Sequence, residues 1–90
     1  MQYIFKATET FWRNFYALTP EQKELVRSAW RIFKTNPFDV RLGAHSIRRL
    51  SAVSGKTIYS VVIDKDLRSL FYIQNNIVFT FDIGSHKVYR

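Results

Sequence analysis

Three β-rich runs follow one another from residue 56 onward, and they limit the fold more than any other feature of the sequence. They cover residues 56–63, 67–73 and 77–83, and each is rich in branched and aromatic side chains. Short turn-forming segments at 64–66 and 74–76 separate them. Connections of this length predict consecutive antiparallel strands joined by tight turns.

The last of these runs alternates between large apolar side chains and others. The first set is Ile77, Phe79, Phe81 and Ile83, and the residues between them are Val78, Thr80 and Asp82. Because successive side chains of a strand point to opposite faces, the first set predicts one strongly apolar face. We expect this face to meet the helices.

A helix is predicted from its start signal at Thr19, which can act as N-cap, with Pro20 at the first helical position and Gln22 completing a capping box. Its apolar stripe consists of Leu25, Val26, Ala29, Ile32 and Phe33. A similar stripe predicts an earlier helix after Thr8, made of Phe11, Trp12, Phe15, Tyr16 and Leu18. The short link between the two predicts an antiparallel helical hairpin.

The outer side of the second predicted helix carries a row of cations. These are Lys23, Arg27, Arg31 and Lys34, at spacings of four, four and three. Residues at such spacings are neighbours on a helix surface, so they form a continuous basic ridge. A solvated helix face is the simpler interpretation of this ridge, and a binding surface is the alternative.

The remaining segments complete the predicted topology. Residues 2–6 are a β-prone run that we interpret as an edge or first strand, and residues 38–55 predict a loop with a turn or two of helix. The order is β-α-α-β-β-β, an α+β fold in which an antiparallel twisted sheet packs against an N-terminal helical hairpin. A length of 90 residues predicts one domain, 1–90.

Composition narrows the class of protein. Hydrophobic residues make up 47% of the chain, which is enough for a packed core. The absence of cysteine and of long apolar runs predicts an unexported cytoplasmic protein that has no disulfide and does not contact a membrane. Fourteen Lys and Arg against seven Asp and Glu give a net charge of +7, which attracts polyanions. Nucleic acid, an acidic protein and a membrane surface are the candidate partners, and we expect one of the first two.

The residue types present favour one kind of chemistry. The two histidines are far apart in sequence and no acidic cluster accompanies them, so we predict no metal and no other cofactor. Arg, Lys, His and Tyr suffice to cut RNA through its own 2′-hydroxyl. A base removes the hydroxyl proton, a cation stabilises the phosphate and an acid protonates the leaving 5′-oxygen.

Strand topology brings Arg68 and His86 to one end of the sheet. A three-residue loop at 74–76 pairs Arg68 with Asp82, and a two-residue loop pairs it with Ile83. In either register both side chains could reach one phosphate. The alternatives are a cross-strand salt bridge between Arg68 and Asp82 and a simple solvent-exposed position for His86.

Other side chains are weaker candidates. We predict RNA-backbone binding, with ordinary surface charge as the alternative, for Arg48, Arg49, Lys56, Lys87 and Arg90. His45 is either a second proton carrier or a loop-stabilising hydrogen-bond donor. Tyr89 either joins the site or packs the C-terminal tail onto the helices.

Three marks occur together near the C-terminal end. Arg68 opens the middle strand, the last strand closes with Ile83-Gly84-Ser85-His86, and Tyr89 follows three residues later. With these marks the stretch 56–90 resembles the C-terminal half of RelE/ParE-type toxins. The earlier segment His45-Ser46-Ile47-Arg48-Arg49-Leu50 is similar to the His-x-Leu-basic segment of that family, and the helical hairpin fits its topology.

The resemblance implies the toxin of a type II toxin–antitoxin system. By resemblance it is a metal-independent endoribonuclease that cuts mRNA in the ribosomal A site and is silenced by a cognate antitoxin. Arg68 would then stabilise the phosphate, His86 would be general acid or base, and Tyr89 would stack on a base or assist protonation.

The general base stays open. Some nucleases of the family carry a glutamate or a second histidine on the strand before the middle one, where this chain has Ser60 and Val62. His45 and Asp66 are the substitutes. Two further interpretations are a ParE-like poison of DNA gyrase without nuclease activity and a catalytically inactive basic domain that binds RNA or a partner.

Overall fold

The computed structural model describes residues 2–85. The strands are β1 Ile4–Ala7, β2 His45–Ser46, β3 Tyr59–Val62, β4 Leu67–Gln74 and β5 Ile77–Ser85. The α-helices are α1 Glu9–Tyr16, α2 Pro20–Phe33 and α3 Arg48–Ser54, and a 3-10 turn spans Val40–Leu42. The predicted α+β class is confirmed.

Both long helices begin where local signals predict. Thr8 caps α1 by accepting a hydrogen bond from the N–H of Phe11. The capping box of α2 is complete, because Thr19 accepts from the N–H of Gln22 and the Gln22 side chain accepts from the N–H of Thr19. The predicted apolar stripe of α2 was wrong in one position, since Leu25 is 41% exposed and lies on a flank of the helix.

The five strands form a mixed sheet in the order β1-β5-β4-β3-β2. β1 lies at the edge, as expected, but it pairs with β5 in parallel, so the prediction of an antiparallel sheet was wrong for this pair. The other strand pairs are antiparallel. Short turns specify pairing only between consecutive strands, whereas β1 and β5 are joined through most of the chain, and no local signal sets their direction.

The segment predicted as loop with a turn or two of helix contains that helix and one element that was not predicted, strand β2. Strand β2 has two residues and pairs with β3, and helix α3 follows it directly. The N–H of Ile47 donates to the carbonyl of Ile58, and the N–H of Ile58 donates to Ser51 Oγ. These bonds join residues that are distant in sequence, so periodicity within 38–55 does not reveal them.

Helices α1 and α2 cover one face of the sheet, which we call the inner face. One core cluster joins Phe11, Phe15 and Val26 of the helices to Leu67 and Ile83 of the sheet. A second is formed by Phe33, Leu42, Val61, Phe71 and Val78. The rings of Phe33 and Phe71 meet edge to face at 5.0 Å.

The opposite side of the sheet, which we call the outer face, carries the two phenylalanines that were expected to meet the helices. Phe79 and Phe81 contact Tyr72, with ring centroids 5.0 and 5.6 Å apart. The inner positions of β5 include Val78 and Thr80, which are 0% and 6% exposed, and Ile83, which meets the helices as predicted. The prediction was wrong for Phe79 and Phe81, because large rings from the helices already fill the inner side and leave room there for smaller strand residues.

Candidate active site

A β-bulge sets the position of Arg68. The turn between β4 and β5 has two residues, with Gln74 paired to Ile77 and Asn75 at a positive φ of 60°. Leu70 pairs with Asp82 but Phe71 pairs with Thr80, so Phe81 is an extra residue in β5. Arg68 consequently faces Gly84, and both predicted partners, Asp82 and Ile83, were wrong by one or two positions.

Backbone carbonyls hold the guanidinium group of Arg68 in place. Its Nη1 donates to the carbonyl of Asp64 and, at 3.2 Å, to that of Leu67. Its Nε–H is buried and has no partner within residues 2–85. Asp82 accepts hydrogen bonds from Asn14 Nδ2 at 2.7 Å and from the N–H of Ile83 at 2.8 Å, so the structure does not form the alternative Arg68–Asp82 salt bridge.

Asp66 lies at the same end of the sheet as Arg68. Ser85 Oγ donates to both of its carboxylate oxygens, at 3.3 and 3.2 Å. Ser85 pairs with Leu67, the neighbour of both Asp66 and Arg68 in the chain. The structure therefore places a carboxylate and a guanidinium at the same end of the sheet, without an ion pair between them. Two such groups suit a base and a phosphate clamp.

His45 lies on the outer face, but at a distance from Arg68. It pairs with Ser60 in β3, and Ser60 pairs with Leu70 in β4. Two strand spacings and two residues along β4 place the Cα atoms of His45 and Arg68 roughly 12 Å apart. His45 is exposed, and its Nδ1 lies 3.1 Å from the carbonyl oxygen of Gly43, which fits the predicted loop-stabilising role.

An aromatic row on the outer face was missed by sequence reasoning. It consists of Tyr72, Phe79 and Phe81, all partly buried. Lys56 joins the row, with its Nζ 4.3 Å from the centre of the Tyr72 ring. The alternation in β5 was the available signal, but alternation alone does not tell which face meets the helices.

Arg48 and Arg49 occupy the first turn of α3 and are exposed. The positive end of a helix dipole disfavours cations, so the dipole of α3 does not stabilise arginines at this position. His86, Lys87, Tyr89 and Arg90 lie outside the described residues, and the roles assigned to them stay predictions.

Within residues 2–85, no three His, Asp or Glu side chains form a group that could hold a metal ion. No helix in the same range is long and apolar enough to cross a membrane.

Solved structures share this arrangement of strands and helices. The archaeal RelE–RelB complex from Pyrococcus horikoshii OT3 matches with a TM-score of 0.72 and 10% identity, over 94% of this chain and 96% of that one. YafQ from E. coli strain BL21(DE3) matches with a TM-score of 0.74 and 10% identity, over 97% of both chains. No protein-family model and no curated protein matches the sequence.

The chain therefore has the same fold as RelE and YafQ, and the resemblance read from its C-terminal half is confirmed at the level of fold. YafQ is also present in the E. coli DinJ–YafQ complex, which matches with a TM-score of 0.65 and 13% identity over 97% of both chains.

Proposed function

We propose that this chain is the toxin of a type II toxin–antitoxin system and that it cuts messenger RNA in the cytoplasm without a metal. The observation that carries the proposal is the position of Arg68 on the outer face of the sheet, at the end of β4 where the Asp66 carboxylate also lies. Helices α1 and α2 cover the other face, so reactive side chains are confined to this one. The RelE-type fold supports the same assignment.

The proposed reaction uses the RNA as its own nucleophile. Asp66 accepts the proton of a 2′-hydroxyl, and the 2′-oxygen forms a bond to the adjacent phosphorus. Arg68 stabilises the charge that accumulates on the phosphate oxygens. The bond from phosphorus to the 5′-oxygen breaks, and His86 donates a proton to that oxygen. The products are a 2′,3′-cyclic phosphate and a 5′-hydroxyl.

We assign the base to Asp66 rather than His45 because of position. The carboxylate of Asp66 contacts Ser85, which is hydrogen-bonded into β5 beside the partner of Arg68. His45 lies two strands away on β2, so we place it among the groups that hold the RNA. Lys56, Arg48 and Arg49 are proposed to contact the backbone, and Tyr89 to stack on a base.

The proposed partners are a cognate antitoxin and the ribosome. Two of the similar structures are complexes, RelE with RelB and DinJ with YafQ. An acidic antitoxin segment that orders on contact suits a toxin with a net charge of +7. The message is proposed to be cut in the ribosomal A site.

The proposal is tested by mapping message ends with and without ribosomes, for the wild type and for Arg68→Ala and His86→Ala. Cleavage with a cyclic phosphate end that is lost in both variants is the expected result. Intact message together with gyrase-linked DNA breaks would overturn it in favour of the gyrase poison. A message with a phosphorothioate at the cut site tests for a metal at constant Mg²⁺, and rescue of its cleavage by added Mn²⁺ or Cd²⁺ would overturn the metal-independent mechanism.

A further inference from the structure

The basic ridge on α2 lies on the helical layer, on the other side of the sheet from the outer face. Its members are Lys23, Arg27, Arg31 and Lys34. All lie within the described part of α2 or at its C-cap, and three of the four are exposed. The mechanism proposed above uses none of them.

An aromatic seam between α1 and α2 contacts three of these cations. Trp12 contacts Trp30 at 5.5 Å and stacks against Tyr16 at 5.9 Å, and Phe15 contacts Tyr16 at 5.5 Å. Lys23 lies 5.9 Å from the Tyr16 ring, Arg27 5.7 Å from Phe15 and Lys34 5.6 Å from Trp30. Ring contacts of this kind restrict the long side chains, so less freedom is lost when they bind a ligand.

The ridge follows the axis of α2. At 1.5 Å per residue, Lys23 and Lys34 are about 16 Å apart along the helix axis. Glu24 is the acid next to the ridge, and it forms an ion pair with Arg27. The surface therefore presents an uninterrupted row of positive charge with one partly neutralised member.

We infer that this ridge binds the phosphate backbone of base-paired RNA and is a second RNA-binding surface, separate from the outer face. A duplex presents closely spaced phosphates along its axis, and proteins recognise double-stranded RNA mainly through phosphate and 2′-hydroxyl contacts. Single-stranded RNA instead needs a groove with open aromatic faces. In the seam, Tyr16 is 67% exposed, but its ring stacks on Trp12 and Lys23 lies over it, so it does not form a groove for unpaired bases.

The two surfaces lie on opposite sides of the sheet. One protein chain can therefore bind base-paired RNA through helix α2 while an unpaired segment of the same RNA reaches the outer face. The inference does not depend on cleavage. It concerns binding alone and stands even if the outer face has no nuclease activity.

The test is fluorescence anisotropy with a blunt RNA duplex at several salt concentrations, using Arg68→Ala as background so that the probe stays intact. We expect the ridge variant Arg31→Gln/Lys34→Gln to weaken duplex binding at least tenfold. The slope of log K against log salt should fall by about two, since each phosphate contact contributes about 0.9.

The matched control is Arg13→Gln/Arg41→Gln, which removes the same charge from α1 and from the 3-10 turn, outside both the ridge and the outer face. It should change the affinity less than threefold. Glu24→Gln, which removes the acid beside the ridge, should tighten binding two- to threefold. Circular dichroism and thermal melts of each variant establish that the fold is retained.

Equal weakening by the ridge and control pairs would overturn the inference, because it would reflect net charge alone. An unpaired RNA of the same length losing as much affinity as the duplex would overturn the assignment to base-paired RNA. Binding of poly-glutamate but not of the duplex would overturn it in favour of an acidic protein.

Discussion

The two faces of the sheet are built from alternate residues of the same strands, yet they differ in chemistry. On the inner face Phe71 and Val78 are at most 1% exposed and contact helix residues. On the outer face Arg68 and Tyr72 are only partly buried, and His45 is exposed. The face that the helices cover is available only for packing, so polar and cationic groups that could meet a ligand collect on the other. The bulge at Phe81 decides which β5 residue lies beside Arg68.

The largest expected difference between the faces is in stability. Phe71→Ala removes a buried ring that packs against Phe33 and Tyr59. It should lower the free energy of unfolding by about 3–5 kcal/mol. Tyr72→Ala, the next residue along β4 but on the outer face, should cost about 1–2 kcal/mol because its ring is partly exposed. Urea denaturation measures both, and equal losses would contradict the division into faces.

Replacing Arg68 should affect catalysis much more than stability. Arg68→Ala is expected to lower the rate of RNA cleavage by about 10²–10³, the usual effect of removing a group that stabilises developing charge. Stability should change little, since the lost bonds are those to the carbonyls of Asp64 and Leu67. Arg68→Lys is the control for charge without the planar guanidinium, and it should recover part of the rate. A wild-type rate for Arg68→Ala in single-turnover assays would remove Arg68 from the mechanism.

A smaller effect should distinguish the two candidate bases. Asp66→Asn keeps the size of the side chain and an oxygen for Ser85, but removes the proton acceptor, so cleavage should fall about 10²-fold. His45→Gln should act mainly on RNA affinity, with a several-fold higher KM and a nearly unchanged kcat. The reverse pattern, with kcat lost in His45→Gln and retained in Asp66→Asn, would assign the base to His45.

Signals within one element were readable from the sequence, and those between elements were not. Thr19 and Gln22 contact each other within one turn, so the capping box was predicted correctly. The strand runs from residue 56 onward were recognised for the same reason. The bulge at Phe81 is set by contacts across two strands, so both registers predicted for Arg68 were wrong.

The same difference between contacts within one element and contacts between elements explains which features of the site were predicted. Its strand residues could be proposed from turn lengths and residue types, and Arg68 and Asp66 do share one end of the sheet. The aromatic row of Tyr72 and Phe79 was missed because its face depends on what the helices fill. Strand β2 was missed because its bonds to β3 join residues that are distant in the sequence, whereas the turn or two of helix expected in 38–55 is present as α3.

The smallest expected effect concerns the turn that connects the two faces. Leu42 is 2% exposed in the inner core, and His45 three residues later lies on the outer face. Asp39 caps the turn between α2 and Leu42, and a side-chain hydrogen bond from Arg41, with a second from its backbone N–H, lowers the pKa of Asp39 from 3.8 to about 2. Because the folded pKa lies below the usual value, the carboxylate stabilises the fold above about pH 4. This contribution is lost as the pH falls towards 2.

Asp39→Asn should therefore lower Tm slightly at neutral pH, and the gap from the wild type should close between pH 4 and pH 2. Arg41 is exposed and Asp39 is only partly buried, so solvent screening keeps the effect small. Thermal melts across that range measure the gap, with Asp64→Asn, an exposed carboxylate elsewhere, as the control. Because the turn leads to Gly43, whose carbonyl contacts His45, a loss of RNA affinity in Asp39→Asn without a change in kcat would show that inner-face packing positions outer-face groups. A gap that widens towards pH 2 would contradict the assignment, since the lowered pKa requires the opposite sign.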